Sequence, residues 1–159
     1  GDILPEISAC VLPPGSANFF GVKDAKKALR PALSSCKPTR ASSEWGAGFS
    51  AVKATDDDPG TRWGAAQNSR SGWLEVDLGI EQRVGSVEIW EKQFPRVQSF
   101  SIEVQQGETW REVARGTTVN GQKTVPFPPV TAQRVRLTVH RASDVPTLEE
   151  FRVLAPAAP

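Results

Sequence analysis

Methionine and tyrosine are missing altogether from this 159-residue sequence, while histidine occurs once and cysteine twice. One histidine and two distant cysteines, with no Cys-x-x-Cys pair, leave no ligand set spaced for zinc. There is no G-x-S-x-G nucleophile turn and no phosphate-cradling P-loop. Charge of one sign is missing too: 19 basic residues stand against 18 acidic ones. A chain so balanced has no electrostatic footprint for nucleic acid or an anionic membrane. No apolar run approaches the ~20 residues of a membrane-spanning helix. Without a methionine, the Gly-Asp-Ile start is expected to be a processed, engineered or excised end.

What is present is β patterning, at a length that suits one domain with a sizeable core. "WLEVDLG" puts Leu74, Val76 and Leu78 on one face, and "VGSVEIW" turns Val87 and Ile89 inward. "FSIEVQQ" alternates Phe100, Ile102 and Val104 against Ser101, Glu103 and Gln105. "RVRLTVH" sets Val135, Leu137 and Val139 against Arg134, Arg136, Thr138 and His140. This is the period of strands with one buried and one wet face. "QQGET", "VNGQK" and "PFPPV" read as the turns between them. The pattern predicts an antiparallel sandwich or jelly roll. Residues 1–37 are Pro-rich and irregular, and are expected to form a linker or cap. Within them "GVKDAKKALRPAL" allows a turn or two of helix before Pro31 stops it. Cys10 and Cys36 either close a disulfide across this segment or stay a buried thiol pair, and export would favour the bond.

One stretch stands out, "KATDDDPGTRWGAA" at 53–66. Pro59 and Gly60 keep its turn tight. Asp56, Asp58, the Thr61 oxygen and the Lys53 carbonyl can then curl toward one centre, and hard oxygens at short range are what calcium requires. On composition alone the stretch is either a solvated acidic turn or a cation site.

A longer pattern bears on that choice. "ASSEWGAGFSAVKATDDDPGTRWGAAQNSRSGWLEVDLG", then "FSIEVQQGETWREVARG", then "FPPVTAQRVRLTVHRASDVPTLEEFRVL" follow one another in order. Together they resemble the discoidin-like, coagulation factor 5/8 type C domains, and within them the family 32 carbohydrate-binding modules. The likeness is closest to the modules appended to family 29 alpha-L-fucosidases. It divides the chain into an N-terminal segment (1–37), a discoidin-like module (38–155) and a tail (156–159). It implies an all-β, antiparallel eight-stranded jelly roll with one structural Ca2+. By position, the Lys53 carbonyl, Asp56, Asp58 and Thr61 would hold the ion. Glu150, with the Glu149 carbonyl, would close the site. The family usually has glycine where this chain has Asp57. Glycine tolerates positive φ there more readily than Asp does. Trp63 and Trp73 fall in framework motifs and are expected in the core, and Trp110 is expected to pack on its hairpin.

The resemblance also implies a non-catalytic module that binds terminal sugars of galactose, GlcNAc or fucose type through loops at one end. The candidate residues are Trp45 as platform, Trp90 from the "WEKQFPRV" loop, Glu91 and Arg96 as hydroxyl grips, and His140 as a further donor or acceptor. Each has a structural alternative. Trp45 could cover a core edge, Glu91 and Arg96 could simply pair, and His140 could be a plain surface residue. The implied partners are a glycan and a glycoside hydrolase catalytic domain in the same parent chain, in a secreted, extracellular or periplasmic setting. A structural accessory domain, or a protein- or membrane-binding discoidin domain, is the alternative. Membrane binding ranks lower because the loop tips are largely charged. Catalysis would need a placed pair of carboxylates, for which Glu91 and Asp144 are the available pair.

Overall fold

The computed structural model describes residues 31–158. Among them run eight strands: β1 (Thr39–Ala41), β2 (Trp63–Gly64), β3 (Gly72–Trp90), β4 (Val97–Gln106), β5 (Thr109–Gly116), β6 (Gln122–Ala142), β7 (Thr147–Leu148) and β8 (Glu150–Leu154). Two 3₁₀ turns, Ala47–Phe49 and Ala51–Ala54, interrupt them. All pairings are antiparallel.

β3 and β6 are far longer than ordinary strands, and each serves both layers. The first half of β3 lies between β1 and the second half of β6, with Leu74 opposite Ala41 and Leu137. Register shifts follow between Asp77/Gln82 and Val84/Ser86. The second half of β3 then lies between the first half of β6 and β8, with Val87 opposite Val125 and Val153. One hydrogen-bonded sheet thus folds over into the two layers of the expected discoidin-like sandwich. The order β1-β3-β6-β4-β5 makes one layer, and β8 joins β3 in the other. A short β2–β7 ladder, Trp63 opposite Leu148, closes one end.

The alternating residues fill the space between the layers. Leu74, Val76, Phe100, Ile102, Val135 and Leu137 are buried from one side, and Val87, Ile89, Phe151 and Val153 from the other. Trp63 is fully buried, its Nε1 donating to the Ser43 carbonyl at 3.0 Å. Gly85 admits the tail: a Cβ there would sit 2.7 Å from the Pro156 Cα.

Three expectations change. "PFPPV" is not a turn but part of β6. Here β6 has only β3 beside it, Pro126 sits at the register shift, and Pro128 and Pro129 are exposed. Proline is tolerated where no ladder N–H is needed. "WLEVDLG" and "VGSVEIW" join into one bent strand. Trp73 is on the outer face rather than in the core, because it alternates with Leu74. There it stacks on Arg136 at 4.7 Å, which in turn lies 4.0 Å from the Trp110 ring.

Residues 31–37 are stitched to the last strand. Leu33 N donates to Val153 O at 2.9 Å, and Val153 N to Ser34 Oγ at 2.9 Å. Cys36 is disulfide-bonded. Cys10 and the helical turns expected in 21–30 lie outside the described residues.

Candidate functional site

Three loops meet at the end of the sandwich closed by β2 and β7. Trp45 follows β1 and is anchored by its backbone, the N–H donating to Gly64 O at 2.7 Å. Its indole is left half exposed, at 50%. Phe49 ends the first 3₁₀ turn, and Arg62 leads into β2. The 91–96 loop brings Phe94 and Arg96. Ser143 N donates to Arg96 O at 2.9 Å, and Arg96 Nη1 donates to Val145 O at 2.8 Å, which fastens that loop to the one before β7. Between them lies a pocket of about 200 Å³ lined by Trp45, Phe49, Arg62, Phe94, Arg96 and Thr147 among others.

The aromatic rings hold the guanidiniums in place. Arg62 lies 5.0 Å from the Phe49 ring and 4.9 Å from the Phe94 ring, and its Nη1 donates to Gln93 Oε1 at 2.8 Å. Arg96 lies 4.7 Å from the other partner of that arrangement, Phe94. Stacked on rings and hydrogen-bonded, both are held in fixed orientations.

Of the five residues expected at a sugar site, the pocket unites Trp45 and Arg96. The other three are elsewhere. Glu91 is buried, and its Oε1 accepts from Arg96 N and Val97 N, each at 3.0 Å. It clasps the loop and cannot reach a ligand. Trp90 is on the outer face of β3, its Nε1 donating to Glu88 Oε1 at 3.2 Å and Lys92 Nζ lying 4.1 Å over its ring. His140 is on the outer face of β6, its Nε2 2.7 Å from Ser101 Oγ. Phe49, Arg62 and Phe94 are pocket residues that sequence reasoning passed over. The only signal was an aromatic or arginine in each of the quoted loops.

The acidic stretch folds into a knot centred on Thr61. Its Oγ1 is 2.6 Å from Asp56 Oδ2, 3.2 Å from Asp58 O and 3.4 Å from Lys53 O. Asp58 therefore offers its carbonyl here, since its carboxylate accepts Gly60 N at 2.8 Å. Glu149 uses its side chain on Lys92 N at 2.6 Å and Gln93 N at 3.3 Å. Glu150 is fully buried, and among the described residues its carboxyl oxygens meet no N–H donor, only the Asp56 carboxyl with which Glu150 can share a proton. Burial, with the Asp56 charge beside it, pushes its pKa up to about 10. Burial also raises Asp56. Asp57 does adopt positive φ, 58°. Its carboxylate secures that conformation by accepting from Ser35 Oγ at 2.8 Å and Arg152 Nη1 at 3.2 Å. Among the described residues no three His, Cys, Asp or Glu side chains converge on a metal position. A cation here would rely on two carboxylates, carbonyls and a hydroxyl. That set suits a hard ion, and the Glu150 oxygens, without an N–H donor among the described residues, fit one.

The fold and sequence can be set beside known proteins. The family model of the F5/8 type C domain matches residues 38–151. No curated protein sequence matches. Chitosan-binding module 1 of a chitosanase/glucanase from Paenibacillus sp. IK-5 is 32% identical with a TM-score of 0.72, covering 79% of this chain and 100% of that one. The family 32 module of C. perfringens NanJ, solved with galactose, shares the fold at 23% identity and TM-score 0.69, covering 77% and 97%. A putative alpha-L-fucosidase from Bacteroides thetaiotaomicron contains the same fold at 18% identity and TM-score 0.75. The match covers 85% of this chain but 31% of the fucosidase. With its family model spanning both the rim loops and the Thr61 knot, the chain belongs to the F5/8 type C domain family.

Proposed function

We propose that the chain is a non-catalytic carbohydrate-binding module that holds one terminal sugar of a glycan in the rim pocket and keeps a glycoside hydrolase close to its substrate. The pocket carries this reading: a half-exposed indole stands beside a fixed guanidinium at the open end of a rigid sandwich. A sugar ring offers a C–H face to an aromatic platform and hydroxyls to fixed polar groups. Trp45 is the platform and Arg96 the grip. At about 200 Å³ the pocket is smaller than the ~300–1,000 Å³ that engulfs a drug-sized ligand, which suits a single ring. Relatives that bind chitosan or galactose support the ligand class, and the fucosidase supports an attached hydrolase. The disulfide at Cys36 supports an oxidising compartment, hence a secreted, extracellular or periplasmic setting.

The same reading includes a structural calcium ion held by Asp56, Glu150, the Thr61 hydroxyl and the Lys53 and Asp58 carbonyls. It would tie the early turn to the last strand.

A terminal-sugar array tests the module role. Trp45→Ala is expected to weaken retention by about tenfold, the scale of one lost aromatic contact. Equal retention of parent and variant on every glycan would instead favour the structural accessory role.

A further inference from the structure

We infer that the rim pocket selects a terminal sugar carrying an oxyanion, a ring carboxylate or a sulfate ester, over neutral and amino sugars. This rests on the pocket being the sugar site.

Among the described residues the pocket is lined by two guanidiniums, Arg62 and Arg96, and by no carboxylate. Both face one ring, Phe94, at 4.9 Å and 4.7 Å. Both also line the same pocket, so an anion seated there meets two positive charges. On the flank, Arg96 Nη2 is ion-paired with Asp144 at 3.7 Å, and Arg70 Nη1 lies 3.6 Å from the same carboxylate. That single carboxylate, 55% exposed, is divided between two arginines. The other carboxylates of these loops are committed to backbone donors: Glu44 to Ala51 N, Glu91 to Arg96 N and Val97 N, and Glu149 to Lys92 N and Gln93 N.

Hydrogen-bonding capacity points the same way. Guanidinium only donates, whereas sugar hydroxyls both donate and accept. A neutral sugar here would find guanidinium donors in excess of acceptors; the Thr147 hydroxyl gives its hydrogen to Trp63 O at 2.6 Å and offers only its oxygen lone pairs. A carboxylate or sulfate accepts only, and arginine's planar fork suits it. Arg62 has used Nη1 on Gln93 and Arg96 has used Nη1 on Val145. Further N–H groups on each remain for a ligand. An ammonium sugar meets repulsion from both. This chain therefore parts company with the chitosan-binding modules it resembles at 32% identity.

Matched pairs test the inference: galacturonate against galactose, galactose 6-sulfate against galactose, and glucosamine oligomer against its N-acetylated form. In the first two pairs the acidic member is expected to bind at least tenfold tighter at about 0.05 M salt, with the advantage shrinking toward about 0.5 M as screening grows, and in the third the N-acetylated form is expected to bind tighter than the ammonium form. Arg62→Gln should erase the advantage, so that the acidic and neutral members of each pair bind alike. The salt series on the parent protein stands independently of how that variant folds. The two anionic arms tell carboxylate from sulfate. Tighter binding of galactose than of its acidic partners, or of the amino than of the N-acetylated form, still abolished by Trp45→Ala, overturns the anion preference and leaves the sugar site standing. Failure of every sugar to bind overturns both.

Discussion

Chelation is expected to lower the melting temperature of this chain by about 10 °C. An ion bound to the folded chain alone, at about 1,000 times its Kd, stabilises by ~4 kcal/mol. A domain of this size shifts by roughly 2–4 °C per kcal/mol. Glu150 is what makes the response large. It is fully buried against a second acid and, among the described residues, meets no N–H donor, so in chelator it has no compensating cation beyond Arg152 Nη1 at 4.0 Å. pH should then act with opposite sign in the two states. Without the ion, burial and Asp56 raise Glu150 from 4.5 to about 10. A carboxyl raised on folding stabilises fully below its unfolded pKa, and that contribution is lost as pH climbs toward the folded value. Melting in chelator should therefore fall from about pH 5 to about pH 8. With saturating calcium the ionised carboxylate is the ligand, so the fall should vanish or reverse. Glu150→Gln removes the buried charge and keeps the shape. In chelator it should melt no lower than the parent, and added calcium should no longer raise it. An unchanged parent melting temperature in chelator, measured by calorimetry, would remove the ion from the account.

The sandwich was legible because burial on one face imposes period two. Phe100, Ile102 and Val104 announce β4 without any partner being known. The folding-over of β3 was not legible, because its bend depends on what pairs with each half rather than on its own residues. The alternation was also underused at the site. His140 shares its face with Arg136 and Thr138, which already places it away from the rim. Trp45 was legible as a loop residue with glycines beside it, and Arg96 through its position in the family pattern. Arg62 was not, because its orientation comes from Phe49 and Phe94, rings that only the fold brings to it. Asp57 looked like a departure from the family. Its fit depends on Ser35 and Arg152, which lie far off in sequence.

Glu91 shows why residue type alone misleads, and its replacement should separate two roles. Glu91→Ala is expected to cost about 3 kcal/mol, because two backbone donors, Arg96 N and Val97 N, lose the buried acceptor they share. That corresponds to a melting point roughly 10 °C lower. Sugar retention should fall as well, even when measured well below melting, because the clasp fixes the loop that carries Phe94 and Arg96. Glu91→Gln should keep most of both properties, since its amide oxygen can accept the same two N–H groups. A residue that gripped sugar directly would behave differently: Glu91→Ala would lose affinity while melting normally, since the loop would not depend on it. Measuring melting and retention on the same three proteins decides the matter. Loss of affinity alone would put Glu91 in contact with ligand after all. Joint loss, with rescue by glutamine, would place it one step behind Arg96 as the residue that positions it.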